Sequence, residues 1–262
     1  MNILKIKNII SLVISLAIID FKEQFKGSYL GIVWAIIRPL IFISAVWFIF
    51  SIGIKHKPIE NNTPFILYLL TGYSAWIFFS TSLTAVMNAF SGNITLVKRP
   101  SFPVIILPIV KIVSSFFLHL VFLSIVVVVL IYFGNFPNIY WLQLPYYIII
   151  LCLLVFGLGL SVASLNLFTK DIPQFIAAIL QIGFWVTPIF WSYSRVPKEY
   201  LWILKFNPMV YIVNGYRNTF LNKVWFWEDN YFLFSFIIYI LFFLVSGILV
   251  YKKLRPHFGD VV

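Results

Sequence analysis

The longest uncharged stretch of the chain runs from Ile112 to Thr169 and contains no Asp, Glu, Lys or Arg. One break interrupts it, the segment Gly134–Asn138, which is rich in turn-forming residues. Each half is long enough to cross a bilayer as a helix, which takes about 20 apolar residues. With 62% hydrophobic and 10% charged residues, the chain lacks the polar surface of a soluble domain, which carries roughly 25% charged residues. The sequence therefore predicts an integral membrane protein.

The same reasoning divides the chain into six predicted transmembrane helices. Their predicted ranges are 30–54, 65–90, 104–133, 145–168, 172–194 and 230–251. The apolar runs are continuous and do not alternate with period two, which disfavours a transmembrane β-barrel. The expected fold class is therefore all-α, in a single membrane domain over residues 1–262.

Residues 1–29 are predicted to form an amphipathic helix that lies in the cytoplasmic interface. Their polar side chains recur at steps of three, four and seven residues, which places them on one helical face: Lys5, Asn8, Ser11, Ser15, Lys22 and Lys26. A signal peptide is disfavoured, because no small-x-small cleavage site follows the apolar run.

The formal charge of +11 is interpreted as membrane topology and not as a nucleic-acid surface. Lys and Arg accumulate on the cytoplasmic side of membrane proteins. Most of these residues lie near the two termini or in the loops on that same side: Lys5, Lys7, Lys22, Lys26, Lys98, Arg99, Lys170, Lys252, Lys253 and Arg255. The short first outer loop carries only Lys55 and Lys57, and the second carries none. Both termini are therefore expected in the cytoplasm.

The third outer segment, Arg195–Asp229, is too polar to cross the membrane and too apolar for a free loop. Apolar residues recur at helical spacing on both sides of Asn207-Pro208. This pattern favours a short helical hairpin between the fifth and sixth crossings. The alternative is a plain interfacial loop anchored by Trp202, Trp225 and Trp227.

Several catalytic signatures are missing from the sequence. It contains no phosphate-binding loop, no His-Glu-x-x-His zinc motif and no Gly-x-Ser-x-Gly motif. No carboxylate lies in a predicted crossing, which disfavours transport driven by an ion gradient. The single cysteine, Cys152, is interpreted as a buried side chain. We therefore expect no catalytic residue, cofactor or metal in this chain, and transport energy from a separate subunit.

Three ionisable side chains lie in or near the predicted crossings. Arg38 has two interpretations, a contact with a phosphate group or snorkelling to the lipid head groups. Lys111 is expected to snorkel, and His119 is expected to be a packed or hydrogen-bonded residue rather than a ligand. Aromatic residues make up 20% of the chain, and most are explained by enrichment at the membrane interfaces.

Five short stretches, in this order along the chain, resemble ABC-2-type permeases that export polysaccharides. They are Gly27–Leu40, Lys98–Pro103, Asn166–Pro173, Thr187-Pro188-Ile189 and Asn207-Pro208-Met209. The resemblance covers about residues 20 to 255. It implies a homodimeric channel in the bacterial inner membrane, with two copies of a separate ABC ATPase that binds ATP and magnesium.

The cargo implied by this resemblance is a glycan on a polyprenyl diphosphate lipid, most simply an O-antigen. Teichoic acid, capsule, a drug or another lipid are alternatives, and a membrane-embedded glycan- or lipid-modifying enzyme is an alternative of another class. The implied substrate path comprises Arg38, Trp34, Phe184, Trp185 and Phe190. The implied ATPase contact is the segment Ser91–Pro103, with Leu96, Lys98, Arg99, Pro100, Phe102 and Pro103 as its principal residues.

Overall fold

The computed structural model describes residues 3–53, 63–193, 196–228 and 230–261. All regular structure in these ranges is helical. The α-helices are α1 Ile3–Glu23, α2 Trp34–Phe48, α3 Phe65–Met87, α4 Ile94–Val97, α5 Ile106–Tyr132, α6 Leu144–Asn166, α7 Ile172–Val186, α8 Leu201–Leu204, α9 Met209–Arg217, α10 Asn230–Leu254 and α11 Phe258–Val261. The predicted residues Lys55, Lys57, Arg195 and Asp229 lie outside the described ranges.

Five helical stretches among the described residues are long and apolar enough to cross a membrane. They are Gly31–Ile52, Phe65–Met87, Ile106–Tyr132, Ile139–Asn166 and Phe232–His257. Continuous apolar helices satisfy their own backbone hydrogen bonds, as a bilayer requires. The chain is therefore a helical, multi-pass membrane protein.

The fifth predicted crossing, 172–194, is shorter in the structure than in the sequence-based prediction. Helix α7 ends at Val186, and Thr187 takes an extended conformation with ψ of 135°. Pro188 accounts for this end, because the proline ring disfavours helical geometry at the preceding residue. The chain then continues through buried, non-helical residues as far as Phe190.

Helix α3 forms the centre of the molecule, and α2 and α10 lie at its edges. In the most apolar window of each helix, 78% of α3 residues are buried, against 11% for α2 and 17% for α10. Helix α1 packs along α5, where Val13 and Ala17 contact Ile106 and Val110. This arrangement places α1, α2 and α5 around one side of α3.

The segment between α7 and α10 is helical and largely internal. The sequence allowed either a helical hairpin or a plain loop in this segment, and the structure has the helices α8 and α9 there. Every residue of α9 is buried. Asn207 donates a 2.8 Å hydrogen bond to Thr187 Oγ1, which ties the start of α9 to the end of α7. Helix α9 is thus part of the protein core.

Candidate functional site

A cavity of about 440 Å³ lies between α1, α2, α3 and α5. Its volume falls within the range of small-molecule sites, about 300–1,000 Å³. Polar side chains from all four helices line it: Asp20, Gln24, Ser28, Arg38, Thr81, Asn88, Lys111, Ser115 and His119. Because such groups are costly against lipid, a cluster of them between membrane helices marks a candidate site.

The cavity begins beside the N-terminal turns of α5 and runs along one face of this helix. Lys111, Ser115, His119 and Phe122 line it at helical spacing. At 1.5 Å per residue, the distance from the first to the last of these is about 16 Å. Lys111 and Asn88 lie at the end of the helices that the positive-inside pattern assigns to the cytoplasm. The cavity therefore extends from that end to Phe122, the 17th of the 27 residues of α5.

Arg38 and Trp34 lie together on the α2 wall of the cavity. The Arg38 guanidinium carbon is 5.6 Å from the centroid of the Trp34 ring, within range of a cation–π interaction. The Arg38 side chain is exposed, and none of the described carboxylates forms an ion pair with it. A guanidinium in this position can bind a phosphate group through two parallel hydrogen bonds.

Lys111 does not simply snorkel, as the sequence suggested, because it forms an ion pair with Asp20 of α1. A second hydrogen bond, of 2.9 Å, runs from Nε2 of Gln24, the residue directly after α1, to Ser114 Oγ of α5. These two contacts fasten α1 against α5 at the edge of the cavity. Of the two cations in the cavity lining, Arg38 is therefore the one whose charge is not balanced by a carboxylate in the described part of the chain.

A group of aromatic rings continues from the inner end of the cavity. Phe122, which lines the cavity, contacts Tyr73 edge-on, and Tyr73 stacks on Phe42 with ring centroids 5.1 Å apart. Phe42 in turn contacts Phe184 of α7, with centroids 5.6 Å apart. The contacts extend to Trp76, Trp185, Phe190 and Phe50. We call these eight rings the aromatic cluster.

The five residues that the sequence assigned to a substrate path fall into two groups. Arg38 and Trp34 line the cavity, whereas Phe184, Trp185 and Phe190 belong to the aromatic cluster. Trp185 is 58% exposed, but Phe190 is only 8% exposed. Phe122 and Tyr73 connect the two groups, and the sequence-based prediction did not include either.

The predicted ATPase-contact segment has two faces in the structure. Leu96 and Phe102 are partly buried against a cluster that includes Phe90 and Leu107. The other four predicted contact residues are exposed: Lys98, Arg99, Pro100 and Pro103. Helix α4 starts with Ile94, which is also exposed. Lys98, Arg99, Pro100 and Pro103 therefore form the more exposed face of this segment, whereas Leu96 and Phe102 are partly covered by the protein itself.

Arg217 lies within the predicted outer segment Arg195–Asp229 but is almost fully buried, with 2% of its surface exposed. Its Nη2 donates a 2.6 Å hydrogen bond to the carbonyl of Ile189, and its guanidinium carbon lies 3.4 Å from the centre of the Tyr68 ring. Gly72 makes room for it, because a Cβ there would lie 2.7 Å from Nη2. Arg217 thereby joins α9, α3 and the non-helical segment after α7.

Similarity to known proteins covers most of the chain. The family described as "ABC-2 type transporter" matches residues 11–221. The O-antigen export system permease protein RfbA of Klebsiella pneumoniae is 28% identical over 93% of this chain and 92% of its own length. A protein of the same name from Myxococcus xanthus is 26% identical over 80% of each chain. The polysialic acid transport protein KpsM of Escherichia coli is 22% identical over 76% of this chain and 77% of its own.

Proposed function

Because the chain belongs to the ABC-2 type transporter family, we propose that it is the channel-forming subunit of an ATP-driven exporter of lipid-linked polysaccharide. The cargo is an O-antigen carried on a polyprenyl diphosphate. This cargo agrees with the names of three relatives, which are O-antigen export permeases. Each of the three covers at least 80% of this chain.

The observation that carries this proposal is the cavity that holds Arg38, together with the aromatic cluster beyond it. A lipid-linked glycan has an anionic diphosphate next to a chain of sugar rings. Arg38 matches the diphosphate, because guanidinium groups form paired hydrogen bonds to phosphate oxygens. The aromatic rings match the glycan, because the flat faces of sugars pack on aromatic planes without fixed hydrogen bonds.

A homodimer is part of the proposal, because α2 and α7 leave wide apolar faces uncovered in one protomer. On α7, residues Phe175, Ile179, Ile182 and Trp185 are between 47% and 65% exposed. Trp185 and Phe184 belong to the aromatic cluster, so a second copy opposite α7 would enclose this cluster between protomers. Closed two-fold symmetry is the commonest arrangement of homo-oligomers.

Two copies of a separate ABC ATPase would supply the energy, because the chain has no phosphate-binding loop of its own. They would dock on the outward residues of Ser91–Pro103. ATP and magnesium would bind to that subunit, and this chain would have no catalytic role. The transporter would reside in the bacterial inner membrane with both termini in the cytoplasm.

Reconstitution with the ATPase tests this function. The permease would be co-expressed with an ABC ATPase encoded beside its gene, co-purified and placed in lipid nanodiscs. Polyprenyl diphosphate-linked O-antigen is expected to stimulate ATP hydrolysis, and the lipid carrier alone to stimulate it less. If only lipid-linked capsule, teichoic acid or a drug stimulates ATP hydrolysis, the O-antigen assignment is wrong and that compound is the cargo. Chemical modification of the glycan lipid by the permease alone would indicate an enzyme instead.

A further inference from the structure

A buried histidine lies at the inner end of the cavity. His119 is 2% exposed and lines the cavity beside Phe122 and Ser115. Its Nε2 lies 3.0 Å from the hydroxyl of Tyr216, and its ring stacks on Phe78 with centroids 4.4 Å apart. Its Nδ1 has no hydrogen-bond partner among the described residues. Packing therefore fixes the ring while leaving one polar atom unsatisfied.

A buried polar atom without a partner is energetically unfavourable, and such atoms in proteins usually meet a ligand or a water molecule. The missing partner can be an acceptor or a donor, because Nδ1 donates in one tautomer and accepts in the other, and the Tyr216 hydroxyl can pair with Nε2 in both. A hydroxyl group can pair with Nδ1 in either tautomer. A phosphate oxygen accepts only and fits one of the two tautomers.

The rest of the lining indicates the same class of ligand. Ser115 offers a hydroxyl group on the α5 wall, and Thr81 offers a hydroxyl oxygen as an acceptor, because its proton is donated to the carbonyl of Ile77. Trp34 and Phe122 provide aromatic surface. Arg38 contributes the cation that no described carboxylate balances. A ligand with an anionic group, hydroxyls and an apolar ring face would match these groups.

We propose that the cavity within each protomer binds the phosphate-linked sugar of the cargo, with His119 Nδ1 hydrogen-bonded to a sugar hydroxyl and Arg38 to the phosphate. This inference rests on the proposed function and makes the cavity a recognition site for the sugar nearest the lipid. The cavity meets the aromatic cluster at Phe122, and the remaining rings of the cluster would contact the rest of the glycan. His119 is thus a residue that determines specificity for the sugar.

A set of variants separates Nδ1 from the other contacts of His119. His119→Gln places an amide near the Nε2 position, which keeps the bond to Tyr216 and removes Nδ1. His119→Asn places an amide near the Nδ1 position and removes the bond to Tyr216. Tyr216→Phe also removes that bond but leaves the histidine intact. The measurement is equilibrium binding of radiolabelled farnesyl diphosphate, with and without one attached hexose, to the permease–ATPase complex in nanodiscs.

The wild-type complex is expected to bind the hexose-bearing compound more tightly than farnesyl diphosphate. His119→Gln should weaken binding of the hexose compound by about tenfold, the effect of roughly one lost hydrogen bond to a buried group. It should leave binding of farnesyl diphosphate unchanged. His119→Asn and Tyr216→Phe should stay within about threefold of wild type for both compounds.

Equal binding of both compounds by His119→Gln and wild type would overturn the sugar site while leaving the proposed function intact. Failure of the wild-type complex to bind either compound would instead contradict the proposed function, and the sugar site with it. Phosphatidylglycerol carries the same phosphate and hydroxyl chemistry and serves as a competitor. If it displaces the hexose compound and its own binding is lost in His119→Gln, the cavity is a phospholipid site and the sugar assignment is wrong.

Discussion

Two arginines of this chain have opposite surroundings, and their surroundings assign them different roles. Arg38 is exposed on a cavity wall, and none of the described carboxylates pairs with it. Arg217 is buried against Tyr68 and donates to the carbonyl of Ile189. A buried guanidinium held in this way stabilises the fold. An exposed guanidinium in a membrane cavity is free to bind an anionic ligand.

Arg38→Ala is expected to raise the concentration of lipid-linked glycan needed for half-maximal ATPase stimulation by about 10- to 100-fold. A hydrogen bond to a charged group contributes about 1.5–3 kcal/mol, and about 1.4 kcal/mol corresponds to tenfold in affinity. Arg38→Lys retains the charge without the planar fork and should give an intermediate value. Unchanged stimulation and export in both variants, with normal complex assembly, would leave Arg38 only a snorkelling role.

Reversal of one charge in the Asp20–Lys111 pair should destabilise the protein, and reversal of both should restore most of the loss. The two side chains are 20% or less exposed, so like charges in their place would repel each other with little screening by water. Asp20→Lys, Lys111→Asp and the double variant would be compared by thermal unfolding in detergent. If the double variant loses as much stability as the two single variants together, the two side chains do not form a direct ion pair.

At the scale of secondary-structure elements, proline residues and glycine residues determine where helices stop and how closely they approach. Pro188 ends α7 early and leaves a buried non-helical segment that α9 covers. Gly157 and Gly247 allow α6 and α10 to cross with their backbones in contact, since a Cβ on Gly157 would lie 2.7 Å from the nitrogen of Leu244. Small residues commonly permit such close helix crossings in membranes.

Gly247→Leu is expected to destabilise the fold by about 1–3 kcal/mol or more, the usual cost of overpacking. The added side chain would collide with the carbonyl of Gly157 in the facing helix. The measurement is the yield of monodisperse protein after membrane extraction, followed by its melting temperature. Gly92→Leu is the control, because an added Cβ there meets no atom within 4 Å. Equal losses in both variants would show that the helix crossing does not require glycine.

Ile94→Asp combined with Lys98→Glu should release the ATPase from the permease without unfolding it. Both residues are exposed at or beside helix α4, so a change of charge there alters the partner surface alone. Leu96→Asp should instead reduce folding yield, because Leu96 packs inward. Co-purification with the ATPase and gel filtration of the permease would distinguish the two effects. If the Ile94→Asp, Lys98→Glu double variant still binds the ATPase and transports normally, this segment is not the contact with the ATPase.

On the scale of the whole molecule, the protomer has two kinds of exposed apolar face. Helix α10 is exposed along most of its length, at residues that include Phe234, Leu241 and Leu249. Helix α7 is equally exposed but carries Trp185 of the aromatic cluster. In the proposed dimer α10 faces lipid, whereas α7 faces the channel between protomers.

Cysteine labelling separates these two faces in a Cys152→Ala background. Trp185→Cys should react with a membrane-impermeant thiol reagent, because thiolates react in water and not in lipid. Leu241→Cys is the matched control, since Trp185 is 58% and Leu241 57% exposed in the protomer. Phe190→Cys, at an 8% exposed position, should react at least about tenfold more slowly than Trp185→Cys. Equal reaction at the α7 and α10 positions would contradict a channel along α7.

Much of the fold could be predicted, because the length of each apolar run can be counted directly along the sequence. The uncharged run from Ile112 to Thr169, interrupted by the turn at Gly134, contains most of α5 and all of α6. The family resemblance depended on short ordered stretches and agrees with the match over residues 11–221. The candidate cavity could be predicted only in part: Arg38 and Trp34 were identified. His119 was interpreted as a packed or hydrogen-bonded residue, which its contacts with Phe78 and Tyr216 confirm, but its place in the cavity lining was not predicted.

The sequence by itself determined that this chain is a helical membrane protein and placed its apolar helices, because bilayer thickness sets how many consecutive apolar residues a helix needs. Only the tertiary structure decided that Lys111 pairs with Asp20 and that His119 lines a cavity with its Nδ1 unpartnered among the described residues. It also decided that Arg217 is buried beneath Gly72 and not in an outer loop. Such contacts join residues far apart in the chain, and they depend on how whole helices rotate and pack against one another.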